Sequence, residues 1–198
     1  MARNKDFDED TVLESAMRLF WQKGYSATSM KELEQVMQLK PTSIYNAFGN
    51  KRNLFQKALK MYMNTVMAGF LDSVNHAESL QDALSDVLDG VVRLHFNKAH
   101  PGGCLIMLSI QESEQHDVQT KTILDSAIHQ LRDAMIKRFR LAQQTGEISA
   151  SRDSKVFANH VTALIAGMIT MARSGFTRNE LKKLVQSSGY CLIQQYRH

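Results

Sequence analysis

An all-α fold is what this sequence predicts, with a three-helix, homeodomain-like head near the N-terminus and a larger helical body behind it. Three observations carry that class. Only two prolines and ten glycines interrupt 198 residues, and no run of alternating β-branched residues offers a strand. Helix start signals recur along the chain, the clearest being Ser29 with Glu32, the S-x-x-E spacing of a capping box. Apolar residues return at spacings of three and four, the period of one helix face. A hydrophobic content of 43% suffices for a sizeable core.

In the head, the stretch 26–55 reads as two short helices joined by a tight turn, with a third opening just behind. The first starts near Thr28 or Ser29, and Met30, Leu33, Val36 and Met37 form its buried stripe. Pro41 opens the second, since its fixed φ is already helical and its missing N–H is not needed in a first turn. That helix spans roughly Pro41 to Ala47 and is too polar for a core element. Ile44 and Phe48 supply inward anchors, whereas Thr42, Ser43, Tyr45 and Asn46 carry groups that a core would leave unpaired. Asn50 can cap the third helix, whose first turn holds Lys51 and Arg52 beside unpaired backbone N–H groups, a setting that attracts phosphate.

A short, outward-facing polar helix fits the major groove of double-stranded DNA, which makes Thr42, Ser43 and Asn46 candidates for base edges and Lys51 and Arg52 for the backbone. Charge agrees: residues 18–60 hold eight basic side chains against two acidic ones in a chain of net charge +4, and phosphate attraction supplies most non-specific DNA affinity. Thr28, Ser29, Lys40 and Pro41 complete the candidate DNA-binding surface. Arg3 and Lys5 form either a basic arm for the minor groove or a solvated terminus.

The spacing of Leu19, Phe20, Gly24, Tyr25, Thr28, Ser29, Met30, Ser43, Tyr45, Phe48, Lys51, Leu54 and Phe55 resembles the TetR family of bacterial one-component repressors. The resemblance implies about nine helices in all, a DNA-binding domain over residues 1–50, and a ligand-binding and dimerisation domain over 51–198. It also implies that Tyr45 and Lys51 touch phosphates. Gln38 departs from the pattern: it stands where the family usually has glycine, and a left-handed angle there costs on the order of 1 kcal/mol.

Behind the head, a helix from Lys51 is expected to run through Met61 and Met67 and join the body. A second segment, 79–99, lines up Leu80, Leu84, Val87, Leu88, Val91, Leu94 and His95, and stops at His100, Pro101, Gly102 and Gly103. A short apolar helix follows over 104–113, then a long one over 117–144 closed by Thr145 and Gly146. The last two helices, 153–173 and 178–196, each carry an apolar stripe: Val161, Leu164, Ile165 and Met168 on one, Leu181, Leu184, Val185 and Leu192 on the other. Either both stripes bury within their own subunit, or they form half of an intersubunit four-helix bundle. A lone short recognition helix binds weakly, whereas a twofold homodimer presents two to a palindromic operator, and the resemblance also implies a dimer through these helices.

The resemblance further implies a small-molecule effector that changes the spacing of the recognition helices. Met61, Met67, Phe70, Phe96, Met107 and Met135 are candidate lining residues for an apolar effector, or ordinary core. Cys104 follows a breaker cluster at a helix start, near His100, so it is either an electrophile or redox sensor or a small buried residue.

Met1 is followed by charged residues rather than an apolar run, and no uninterrupted stretch of 18 apolar residues is present, so a cytoplasmic protein with no membrane partner is expected. Two cysteines without metal-ligand spacing suggest neither a disulfide framework nor a metal site, and no cofactor is implied. No Ser/His/Asp order, H-E-x-x-H or glycine-rich phosphate loop supports an all-α enzyme. The reading is a DNA-binding transcriptional regulator, most simply a repressor; an effector-independent binder or an activator is the alternative.

Overall fold

The structure, a computed structural model, describes residues 7–197; the Arg3 and Lys5 arm lies outside them. Among the described residues it is all helix and turn: α1 (Glu9–Lys23), α2 (Met30–Met37), α3 (Pro41–Phe48), α4 (Lys51–Tyr62), α5 (Ala68–His76), α6 (Leu80–Phe96), α7 (Leu105–Gln111), α8 (Val118–Gln144), α9 (Ser154–Arg173) and α10 (Arg178–Arg197). A π-helical turn, Met63–Met67, lies between α4 and α5 without a break in helical assignment, so that run counts as one helix and the described residues form nine. Helix starts follow local chemistry. The side chains of Asp8, Ser29, Asn50, Ser79 and Asp153 each accept a backbone N–H of the first turn they precede.

By its internal contacts the chain divides into two compact units. The first holds the described residues up to Thr65 together with Leu105–Leu124, so α7 and the first turns of α8 pack with α1–α4. Its centre is aromatic. Phe20 and Phe55 meet edge to face at 4.9 Å between centroids, Tyr25 lies 4.8 Å from Phe55, and Trp21 meets Tyr62 at 4.9 Å. Phe20, Trp21, Phe55 and Tyr62 are all buried, so these four rings supply much of the apolar area that holds the helices together.

The second unit, Val66–Cys104 and the described residues from Asp125, is organised around α6, which packs on α5, α9 and α10. Gly90 of α6 is there for fit: a Cβ at that position would come within 2.5 Å of the Phe70 ring. The breaker cluster after α6 folds back on it, the Gly103 N–H donating to His95 Nδ1 at 3.1 Å with Gly102 at φ +87°. Arg138 of α8 donates to the Glu147 carboxylate at 3.2 Å and to the Glu78 carbonyl at 3.0 Å, while Glu147 also accepts the Leu80 N–H at 2.9 Å and so caps α6. Phe139, Phe157 and Tyr196 close the far end of this core.

Burial in the structure bears on two expectations. Val161, Ile165, Met168, Leu181 and Val185 are buried inside the single chain, so most of the stripe assigned to a dimer interface is spent on α6 and on the contact between α9 and α10. Only Leu164, Leu184 and Leu192 of that set keep partial exposure. Second, α9 does have the length and mean hydropathy, 1.3 over its most apolar window, of a membrane-crossing helix. It packs against α6 and α10, and 39% of that window is buried.

Candidate nucleic-acid interface

The helix-turn-helix is built from its caps outward. Ser29 Oγ accepts the Glu32 N–H at 3.3 Å, and the Glu32 carboxylate accepts the Ser29 N–H at 2.9 Å, the reciprocal pair that the spacing predicts. Lys23 adds an ion pair to Glu32 and ties the end of α1 to the start of α2. These hydrogen bonds, with the Lys23 contact foremost, hold the Glu32 pKa down to about 2. A carboxylate depressed in the folded state stabilises it above the ordinary value of 4.5, and that contribution is lost as pH falls from 4.5 through about 2. An NMR titration of the Glu32 carboxyl carbon is therefore expected to show a midpoint near 2, and a midpoint near 4.5 would mean that this cap does not hold.

The turn confirms the awkward residue. Gln38 sits at φ 53°, ψ 36°, the one left-handed non-glycine angle among the described residues. Its N–H donates to the Gln35 carbonyl at 3.3 Å, and Leu39 donates to Glu34 at 3.2 Å, so the helix end is satisfied at the expense of backbone strain. Gln38→Gly is expected to raise stability by about 1 kcal/mol, less what the freer unfolded chain takes back. A lower melting temperature in that variant would count against the strain.

Past the turn, Lys40 precedes Pro41 and leaves the α3 start without a side-chain cap. Ile44 and Phe48 of α3 are buried. Thr42, Tyr45 and Asn46 are exposed, Tyr45 at 52%, and Ser43 is half-exposed. Ser29, Lys40 and Pro41 are exposed beside them. Thr28 is different: it is 1% exposed, and its hydroxyl donates to the Gly24 carbonyl at 2.6 Å. Its role is to shape the loop, so it leaves the set of candidate DNA contacts.

At the start of α4, Asn50 accepts the Asn53 N–H at 2.9 Å. Lys51 lays its ammonium 4.5 Å from the centroid of the Tyr25 ring, and burial lowers its pKa, with the charges of Glu112 and Glu32 acting in the opposite direction. Arg52, which the sequence offered to phosphate, forms a loose ion pair with Asp117 at 3.5 Å and is exposed. Lys57, which sequence reasoning missed, donates to the Ala47 carbonyl at 3.1 Å and lies 5.1 Å from the Phe48 centroid, pinning the end of α3 to α4. The only sequence signal for it was a lysine one turn after Asn53, on the side of α4 facing back to Ala47.

The candidate effector residues are divided between the two units. Met61 and Met107 fall in the first unit, while Met67, Phe70, Phe96, Met135 and Cys104 fall in the second. Met67 and Met135 are buried, the rest half-buried, and Cys104 stands just before α7. Two grooves of about 520 and 480 Å³ in the second unit, one over Val74, Ile136 and Leu141 and one over Leu80, Ile148 and Ile193, are lined by other residues.

Residues 12–58 match the family of bacterial regulatory proteins, tetR family, and residues 80–187 match the tetracyclin repressor-like C-terminal domain. The chain belongs to the TetR family. This TetR-family chain is 31% identical over 192 residues, 96% of its length and 90% of the relative's, to the HTH-type transcriptional repressor ComR of Escherichia coli K12. Among solved structures it resembles the regulator CifR, a cysteine mutant complexed with a 26-base-pair operator duplex, at TM-score 0.86 and 27% identity, covering 95% of this chain and 98% of that one. A TetR regulator from Chloroflexus aurantiacus matches at TM-score 0.85 and 21% identity over 94% of each chain, which supports the fold. The protein is thus a DNA-binding transcriptional regulator, and its relatives are regulators rather than enzymes.

Proposed function

We propose that this regulator is a homodimeric repressor that holds a palindromic operator through α3 and lets go when a small apolar or electrophilic effector binds its C-terminal unit. The observation that carries the DNA half is the split of α3: Ile44 and Phe48 buried, Thr42, Tyr45 and Asn46 turned to solvent. A helix that spends two residues on anchoring and offers its polar ones outward suits a major groove. The similar repressor ComR and the operator-bound CifR support the role and the target. DNA of this kind lies in the cytoplasm of a bacterium, where such a regulator would act.

For the dimer, the exposed faces of the last helices take over from the buried stripes. On α9, Val156, His160, Ala163, Gly167 and Thr170 fall on one face, all exposed, with Val156 at 44%; on α10, Tyr190 is 61% exposed. Alanine and glycine let a second helix approach closely, and Leu164 of α9 with Leu184 and Leu192 of α10 are half-buried. For release, the effector need only favour a dimer geometry that mismatches the operator; a few kcal/mol of differential affinity empties the site. Phe70 against α6, Met67, Met135, Phe96 and Cys104 are the groups in the second unit suited to an apolar or thiol-reactive ligand.

The test joins three measurements. Light scattering is expected to give twice the chain mass, and fluorescence anisotropy is expected to show binding to a duplex carrying an inverted repeat from beside the coding region. A thermal-shift screen is then expected to find apolar or electrophilic compounds that raise the melting temperature and reverse that binding. A monomer, or a dimer indifferent to such duplexes at low salt, would refute the proposal.

A further inference from the structure

Glu112 lies one residue past the end of α7, 87 positions along the chain from the loop that it grips. Its Oε2 accepts the Tyr25 N–H at 2.7 Å and its Oε1 accepts the Ser26 N–H at 3.2 Å. The loop between α1 and α2 is shaped to receive it. Gly24 takes φ +83°, and a Cβ there would stand 2.9 Å from Glu112 Oε2. Two backbone donors on one carboxylate make strong, directional bonds, so this loop is held from outside as well as by its own Thr28–Gly24 hydrogen bond.

What the loop carries is the Tyr25 ring, and on that ring rests Lys51, 4.5 Å from the centroid. A lysine on an open helix surface samples many rotamers and loses them when it binds. Seated on an aromatic face, with the Glu112 and Glu32 carboxylates drawing its charge, it has lost part of that freedom before DNA arrives. The surroundings fix the ring further. His116, 7% exposed, meets Tyr25 at 5.4 Å and Phe55 at 5.3 Å, and its Nε2 is tied to the Ser109 carbonyl at 3.0 Å. Gln56, equally buried, donates to Asp117 Oδ1 at 3.3 Å and to Thr120 Oγ1 at 3.0 Å.

We infer that Glu112 is a positioning residue for the DNA contact of Lys51: by clamping the Tyr25 and Ser26 backbone it sets the ring on which the ammonium waits. The inference rests on the reading of Lys51 as a phosphate contact. It gives the sequence of the C-terminal family domain, residues 80–187, a direct hold on the DNA-binding unit, because Glu112 belongs to the first by sequence and to the second by packing.

A double-mutant cycle on the full-length protein tests it. Operator affinity of the parent, Lys51→Ala, Glu112→Ala and the double variant is measured from about 50 to about 200 mM salt, with melting temperatures alongside. Each single variant is expected to weaken binding on the order of tenfold and to lower the salt slope, with the double variant no weaker than Lys51→Ala within about twofold. Independent, multiplying losses overturn the inference. If Lys51→Ala changes neither affinity nor slope, the phosphate reading falls and the inference with it; if Lys51→Ala weakens binding while Glu112→Ala does not, only the inference falls. Should Glu112→Ala fail to fold, Glu112→Gln decides: it keeps one carbonyl acceptor in place, so partial loss of affinity at an unchanged melting temperature is expected. Parental affinity in the glutamine variant, or a collapse of its melting temperature, overturns the inference.

Discussion

Phe55→Ala is expected to cost the first unit about 3–5 kcal/mol and to lower the temperature at which DNA binding is lost. Phe55 is 1% exposed and stands within ring contact of three partners: Phe20 at 4.9 Å, Tyr25 at 4.8 Å and His116 at 5.3 Å between centroids. Truncation removes the apolar area of a whole ring and leaves a cavity that those partners cannot close, since each is anchored elsewhere. Phe20 belongs to α1, Tyr25 hangs from the Glu112 bonds, and His116 is tied to Ser109. With total stabilities of roughly 5–15 kcal/mol, a loss of this size consumes much of the margin. The check is the urea midpoint of variant and parent at equal slope, with Phe55→Leu as a control expected to lose less because it refills part of the space. A loss below about 1 kcal/mol for the alanine variant would show that the cluster repacks freely and is not the centre of the unit.

Much of the head was legible because its signals are local. Ser29 and Glu32 are three residues apart, Pro41 declares its own helix start, and Asn50 sits where a cap must. The polar cast of α3 told which way it faces, since Thr42, Tyr45 and Asn46 have nowhere to go in a core. The oddity at Gln38 came from the resemblance, which puts a glycine there, and the backbone takes the left-handed angle. Thr28 shows the limit of local signals: its hydroxyl bonds to the Gly24 carbonyl and the side chain is buried.

What sequence could not supply was partnership over distance. Nothing about Glu112 sets it apart from the other carboxylates until the chain brings it to Tyr25 and Ser26. The packing of residues 105–124 with α1–α4 is of the same kind, since a boundary near residue 50 follows from motif content and the contacts do not. The last two helices show the limit of periodicity. A stripe of Val161, Ile165 and Met168 says that one face is buried, and says nothing about whether α6 of the same chain or a second copy does the burying. Fine apolar patterning likewise marked Met61 and Met107 alongside Met135 without telling that they belong to different units.

Asn46→Ala is expected to change which sequences the protein prefers, whereas Lys51→Ala changes how tightly it holds all of them. Asn46 is exposed on α3, and a side-chain amide can pair bidentately with adenine in the major groove, a contact that costs about 1–3 kcal/mol per base pair when removed. In a twofold dimer the loss occurs at both half-sites. Affinity for the cognate operator should therefore fall by roughly 2–6 kcal/mol in total, while affinity for a scrambled duplex stays put. Lys51 sits at the head of α4, seated on Tyr25, and offers a charge rather than a pattern. Its removal should weaken cognate and scrambled duplexes by the same factor and reduce the salt slope by about one unit per half-site. Selection from a randomised duplex pool measures the first effect, and titrations across salt measure the second. If Asn46→Ala lowers affinity for both duplexes equally, the amide faces the backbone, and the reading of base edges moves to Thr42 and Ser43.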